Sequence, residues 1–200
     1  MKILKKIKVF TDYVCPWCYL GHSRVKKLMK NLDFNIEIIH FPLHPNTPNK
    51  GLKLIELFNC SEKDLEFKNE NMAALMKNED IKFNYRTHTY NSRLAQEIGV
   101  WGYEIYKNFD IHDRFYEAYF IENKNLNDKN ILIEVIEKSG LNIIEGEKVI
   151  NKRLFKNKVD EHWSQSYQYR VTGVPTYVLN NRTLVGAQSY EVLEKFINVN

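Results

Sequence analysis

Cysteine is scarce, with three residues in 200: Cys15, Cys18 and Cys60. Three thiols do not make a framework of structural disulfides. With Cys60 isolated in the chain, they also fall short of the four ligands of a structural zinc site. Long apolar runs are missing as well, so no segment approaches the ~20 residues of a transmembrane helix. The start, Met1-Lys2-Ile3-Leu4-Lys5-Lys6, is basic but lacks the apolar stretch of a signal peptide. Charge of one sign is not concentrated anywhere: 29 basic residues stand against 25 acidic ones, a net +4. The basic residues are scattered among Asn and Glu, which predicts a solvated surface and neither a nucleic-acid nor a membrane partner. No internal repeat or low-complexity linker is present. These absences predict a cytoplasmic protein, and in that compartment a thiol–disulfide pair is catalytic or sensing, since structural disulfides are kept reduced. The hydrophobic fraction of 44% and aromatic fraction of 13% suffice for a core without staples, in one large domain or a domain with a sizeable insertion.

What is there begins with Cys15-Pro16-Trp17-Cys18. The pair follows an apolar, β-rich run (Ile7 to Thr11) and precedes a helical pattern (Tyr19 to Leu32). A thiol at a helix start meets unpaired backbone N–H groups and the positive end of the helix dipole, and both favour thiolate over thiol. Two intervening residues let the second sulfur reach the first within one turn, and Pro16 suits a first turn, where its missing N–H has no helical partner. The spacing also fits half of a zinc site; the redox reading is preferred because no second pair of ligands accompanies it. Cys15 is expected at the helix N-terminus with an exposed sulfur, and Cys18 one turn inside.

Along the chain, Lys6 to Thr11 reads as a first strand with Ile7 and Val9 on one face, Cys15 to Leu32 as a helix, and Phe34 to Phe41 as a strand buried on both faces. Strand, helix, strand with this crossover implies a right-handed parallel unit. After the prolines of 42–48 the chain is helical: a capping box at Ser61 to Asp64, then Leu65–Met76, a loop over Lys77–Tyr90, helices over Ser92–Lys107 and Ile111–Glu122, one capped by Asp128 and ended by Gly140, one started by Asn142 with Glu145, and a last over Leu154–Arg170. Thr176–Leu179, a turn at Asn180-Asn181 and Arg182–Val185 form a hairpin, and Tyr190–Ile197 is a terminal helix. Gly173-Val174-Pro175-Thr176 opens the third strand, a place where proline is tolerated. In a βαβ–ββα frame the loop before this strand lies against the start of the first helix. That predicts a cis Val174–Pro175 bond beside Cys15.

The segment Asp12-Tyr13-Val14-Cys15-Pro16-Trp17-Cys18-Tyr19-Leu20-Gly21 resembles the active-site stretch of the FrnE-type branch of DsbA-like thioredoxin-fold oxidoreductases. The likeness continues in Tyr90-Asn91-Ser92-Arg93-Leu94-Ala95-Gln96, in Phe115-Tyr116-Glu117-Ala118-Tyr119-Phe120, and in Gly173-Val174-Pro175-Thr176 followed by Gly186-Ala187-Gln188. It implies an α/β, thioredoxin-like βαβ–ββα sheet with a large all-helical insertion. The thioredoxin-like domain is expected over 1–48 and 166–200, and the helical insertion over 49–165. It further implies a nucleophilic Cys15, a resolving Cys18 and a cis Pro175, with Pro16, Trp17, Val174 and Pro175 against the substrate. The activity implied is thiol–disulfide exchange on protein or small-molecule disulfides, with no metal, nucleotide or flavin, and glutathione or a thioredoxin-type protein as reductant.

Two departures from the family pattern matter. Secreted DsbA proteins carry signal peptides, and their central dipeptide is commonly Pro-His where this chain has Pro16-Trp17. Without an imidazolium between the cysteines, the disulfide is expected to be less oxidising than DsbA. The rival is a glutathione-using transferase or isomerase of the kappa or hydroxychromene-carboxylate-isomerase type. Those relatives typically carry serine where this chain has Cys15. A polypeptide-binding chaperone with incidental cysteines is the reading from another class. Asp12 is expected to be a capping or loop carboxylate rather than a proton shuttle for Cys18, and His22 a polar surface or interface group. His40 and His44 could line a cleft mouth. Trp101, Tyr103, Tyr106, Tyr116 and Phe120 could line an apolar groove on the helical block but are expected in the core, and Cys60 is expected to be a spectator thiol near a helix cap.

Overall fold

In the computed structural model, residues 4–198 are described. Residues 1–3, the first half of the basic start, and 199–200, both falling within the expected thioredoxin-like domain, lie outside the described residues. The chain divides into two compact units, Met1–Leu43 with Glu161–Asn200, and His44–Asp160.

The elements in order are β1 (Lys5–Thr11), α1 (Pro16–Met29), β2 (Phe34–His40), β3 (Leu52–Lys53), α2 (Leu54–Phe58), α3 (Glu62–Lys77), β4 (His88–Thr89), α4 (Arg93–Tyr106), α5 (Asp110–Phe120), α6 (Lys129–Lys138), α7 (Ile143–Lys152), α8 (Lys156–Gln168), β5 (Thr176–Leu179), β6 (Arg182–Val185) and α9 (Tyr190–Asn198). The first unit holds a four-stranded sheet of order β2-β1-β5-β6. β1 and β2 run parallel with Ile7 opposite Ile36 and Val9 opposite Ile38, which requires the α1 crossover. β5 lies antiparallel to β1, with Val9 opposite Tyr177, and β6 antiparallel to β5. The period-2 alternation sorts side chains to two faces. Ile7, Val9, Phe34 and Tyr177 face α1 and α9, where Val25, Leu193 and Ile197 meet them. Phe10, Ile39 and Val178 face the other way, packed with Val171 and Val174. Phe10 also packs against Tyr169, ring centroids 5.4 Å apart.

The second unit is built from capped helices. Ser61 and Asp64 form the capping box that starts α3. The Asp128 carboxylate accepts from Asn130 N–H at the start of α6, and the Asn142 side chain accepts from Glu145 N–H at the start of α7. Gly140, at φ +69°, supplies the left-handed residue after α6. Trp101, Phe115, Tyr116, Tyr119 and Phe120 are buried among them. Glu97 is buried too, and is held by Arg93 at 3.0 Å and Arg153 at 2.6 Å. The Tyr90–Gln96 segment is thereby tied down by charge as well as by packing.

The second unit departs from the sequence expectation in three places. The insertion contains a short antiparallel ribbon, β3 with β4, and the five-residue α2. Elements this short carry too few residues for a period to register. The last long helix starts at Lys156 instead of Leu154, because Arg153 takes the left-handed conformation, φ +52°, and ends α7 there. Tyr106, expected in the core, is exposed at the end of α4 and hydrogen-bonds Glu145.

The pairing of α1 with β5 depends on Gly21. A Cβ at that position would lie 2.3 Å from Tyr177 Oη and 3.1 Å from Pro175 Cγ. Both neighbours are ring-bound atoms that cannot swing away. Alanine in a helix interior gains about 1 kcal/mol over glycine, but overpacking costs about 1–3 kcal/mol. Gly21→Ala is therefore expected to lower stability by up to about 2 kcal/mol in urea unfolding, against the sign that helix propensity alone predicts.

Candidate active site

Cys15 is the N-cap residue of α1, in extended conformation, with Pro16 in the first helical positions. Its carbonyl accepts from the N–H groups of Cys18 and Tyr19, each at 3.1 Å, and its own N–H donates to Asp12 O at 3.2 Å. The turn between β1 and α1 is thus closed by backbone bonds before any side chain contributes. Asp12 fixes it further. One carboxylate oxygen accepts from Val14 N–H at 3.1 Å and the other from Leu43 N–H at 3.2 Å. Both oxygens hold main chain, which matches the capping carboxylate expected of Asp12.

Cys15 and Cys18 are both free thiols and come within 3.4 Å of each other. Cys18 is 1% exposed. Burial pushes its thiol well above the ordinary value, and the hydrogen bond and charge of Cys15 push it further. The Thr11 hydroxyl and the Asp12 backbone N–H oppose that rise. Cys15 is not exposed, contrary to expectation: it is 3% exposed, and its thiol points at the carbonyl of Val174, 3.5 Å away. A helix start is accessible on an isolated helix; here the loop before β5 covers it. Trp17, by contrast, is 46% exposed.

The Val174–Pro175 peptide bond is cis. The loop around it is held from several sides. Thr176 Oγ1 donates to Gly173 O at 2.6 Å, and Pro175 O accepts from Gly186 N–H at 2.8 Å. Arg24 of α1 donates to the carbonyls of Ala187 and Gln188 at 2.8 and 2.9 Å. The Gly186-Ala187-Gln188 segment therefore ties β5 to α1. The six residues expected at the site fall in two places, Cys15 to Cys18 at the start of α1 and Val174-Pro175 before β5, and the Cys15 thiol bridges the two.

Other candidates fall elsewhere. Of the surface or interface positions expected for His22, the surface one does not hold, since the residue is buried. His40 is also fully buried rather than at a cleft mouth: its ring packs on Tyr13, centroids 5.0 Å apart, and its backbone N–H donates to His162 Nδ1 at 3.2 Å. As the last residue of β2, it has a burial set by tertiary neighbours its own segment does not reveal. Cys60 follows the left-handed C-cap Asn59 of α2. Among the described residues no group of three or more His, Cys, Asp or Glu stands together to hold a metal, and no helix is long and apolar enough to cross a membrane. Sequence reasoning missed Thr11, Arg24 and Tyr177. The signal for Tyr177 was its place two residues after Pro175, on the strand face that Val9 shares.

The model of the DSBA-like thioredoxin domain family matches residues 6–198. The curated protein YwbO of Bacillus subtilis (strain 168) is 28% identical over 195 residues, covering 96% of this chain and 95% of that protein. The crystal structure described as "probable DsbA oxidoreductase SCO1869 from Streptomyces coelicolor" superposes with a TM-score of 0.89 at 21% identity, covering 96% of this chain and 88% of that one. A 2-hydroxychromene-2-carboxylate isomerase superposes with a TM-score of 0.74 at 19% identity, covering 96% and 94%. At these identities the two structures share the fold.

The two thiols differ in charge environment, and this predicts their reactivity. Alkylation of the reduced protein near neutral pH, followed by peptide mass spectrometry, is expected to label Cys15 ahead of Cys18 by at least tenfold, because the thiolate is the reacting species. Equal labelling would contradict the assignment of Cys18 as the protonated, buried partner.

Proposed function

This chain belongs to the DSBA-like thioredoxin domain family, and from that premise we propose that it is a thiol–disulfide oxidoreductase acting on protein or small-molecule disulfides through Cys15 and Cys18. The observation that carries this reading is the pair of free thiols at the start of α1, with the Cys15 sulfur 3.5 Å from Val174 O. Cys15 attacks a substrate disulfide as thiolate. A Cys15–substrate bond forms, and the first substrate sulfur leaves with the electron pair of the broken bond. Cys18 then gives up its proton and attacks Cys15. The Cys15–Cys18 disulfide forms, the second substrate sulfur leaves, and it takes up a proton. Two electrons pass from the dithiol to the substrate, and the reverse sequence oxidises a substrate dithiol. Direction follows from the potential of the couple against its compartment.

Pro16 and Trp17 flank the nucleophile, and the Val174 backbone before Pro175 offers main-chain groups to an extended substrate segment, a short form of strand addition. In this reading 1–48 with 166–200 form the redox domain and 49–165 the insertion, the protein works in the cytoplasm, and glutathione or a thioredoxin-type protein returns it to the dithiol state. No cofactor enters the exchange. The fold is also that of a 2-hydroxychromene-2-carboxylate isomerase, which makes a glutathione-using isomerase or transferase the second reading.

Two experiments separate them. Cys15→Ser is expected to abolish exchange with a model disulfide, while Cys18→Ala is expected to accumulate a mixed disulfide at Cys15 that mass spectrometry identifies. Exchange that persists in Cys15→Ser would remove the proposal, and glutathione-dependent isomerisation that survives Cys15→Ser would favour the second reading. Equilibration with glutathione buffers is expected to place the couple between about −270 and −120 mV, the thioredoxin and DsbA values. Trp17→His is expected to raise that potential, because a cation between the cysteines stabilises the thiolate of the reduced form.

A further inference from the structure

The Tyr177 hydroxyl is an unexplained buried polar group. Tyr177 is 1% exposed, and its oxygen makes no hydrogen bond within the described residues. A buried hydroxyl without a partner is costly, and such groups are rare in folded proteins. Phenylalanine would fill the same space without that cost. The position is specific: Tyr177 Oη lies 2.3 Å from where a Gly21 Cβ would stand. Gly21 follows Cys18 by three residues on α1, so it shares a face with it. Pro175, two residues before Tyr177, sits against the same glycine.

We propose that Tyr177 is an electrostatic positioning residue for the resolving thiol, its hydroxyl dipole stabilising the negative charge that appears on Cys18 when it attacks the mixed disulfide. This rests on the exchange reaction proposed above. In the dithiol state the hydroxyl has no partner. During resolution, once Cys18 has lost its proton, the charge that forms is the partner it lacks. An interaction present only at that stage speeds resolution without stabilising the resting state. The low dielectric of the buried site strengthens it. Burial, followed by the charge of Cys18, holds the phenol well above its ordinary pKa, so it keeps its proton and remains a donor. The other charges acting on it are Cys15 and the Arg24 guanidinium.

The test is Tyr177→Phe, measured for three quantities on the full chain. Denaturant stability is expected to stay level or rise. The rate of Cys15 attack on a model disulfide is expected to fall less than twofold, while the following resolution step, read in rapid-mixing experiments, falls about tenfold. The equilibrium constant against glutathione is expected to stay within about twofold of the unsubstituted value, because the hydroxyl is paired only while the charge on Cys18 exists. A parallel loss of stability and of both rates would mark Tyr177 as packing alone and overturn the inference. So would unchanged resolution. To guard against a misfolded variant, Gly21→Ala, alone and combined with Tyr177→Phe, reads the placement: the substitution should destabilise less when the hydroxyl is gone. Additive costs would overturn the placement. If the unsubstituted protein shows no exchange, the underlying function fails instead, an outcome distinct from exchange that Tyr177→Phe leaves untouched.

Discussion

The close approach of α1 to β5 at Gly21 is the constraint on which the dithiol depends. Glycine there lets the Tyr177 and Pro175 rings sit against the helix one turn below Cys18. That contact sets the depth of the cis-proline loop, and so the distance from Val174 O to the Cys15 sulfur. Arg24, three residues further along α1, reinforces it by gripping the carbonyls of Ala187 and Gln188. One face of one helix therefore carries a thiol, a gap and a clamp at intervals of three residues, the spacing at which helical positions stack.

The same packing makes two chemically alike residues unlike. Cys15 has left the β strand but has not entered the helix, so its sulfur meets the loop before β5 and the positive end of the helix. Cys18, one turn on, is enclosed by Thr11, the Asp12 main chain and Cys15, and burial holds its proton in place. An attacking thiol must lose its proton and a resolving thiol must wait until it is needed. In the proposed exchange, burial supplies the second condition at Cys18, with no charged side chain between the cysteines. Asp12 serves this arrangement through main chain, since its two oxygens hold Val14 and Leu43.

The insertion is organised on another principle. Its helices are started by side-chain caps, and its core is aromatic. Its one deeply buried carboxylate, Glu97, is matched by two arginines, which is how buried charge is tolerated. This gives the Tyr90–Gln96 segment a structural explanation that involves no substrate.

Local rules were enough for much of this. The strand alternation of β1 and β2, the Ser61, Asp128 and Asn142 caps, Gly140 after α6 and the hairpin around Asn180 are all written within a few residues of where they act. So is the placing of a Cys-Pro-Trp-Cys motif at a helix start, because capping, dipole and proline geometry are properties of the first turn alone. Burial at the site was not legible. The cover over Cys15 comes from Val174, 159 residues away, and the main-chain N–H of His40 meets His162 across 122 residues. Tyr177 looked like one more apolar strand residue until the helix beside it was in place. Sequence by itself determined the longer elements, their order and the placing of two thiols at the start of α1, since these depend on neighbours in the chain. Tertiary structure alone decided that Cys15 is enclosed along with Cys18, which histidines are buried and where a hydroxyl is left without a partner. Those depend on the distance between α1 and β5, and that distance is set by side chains that meet only after the chain has folded.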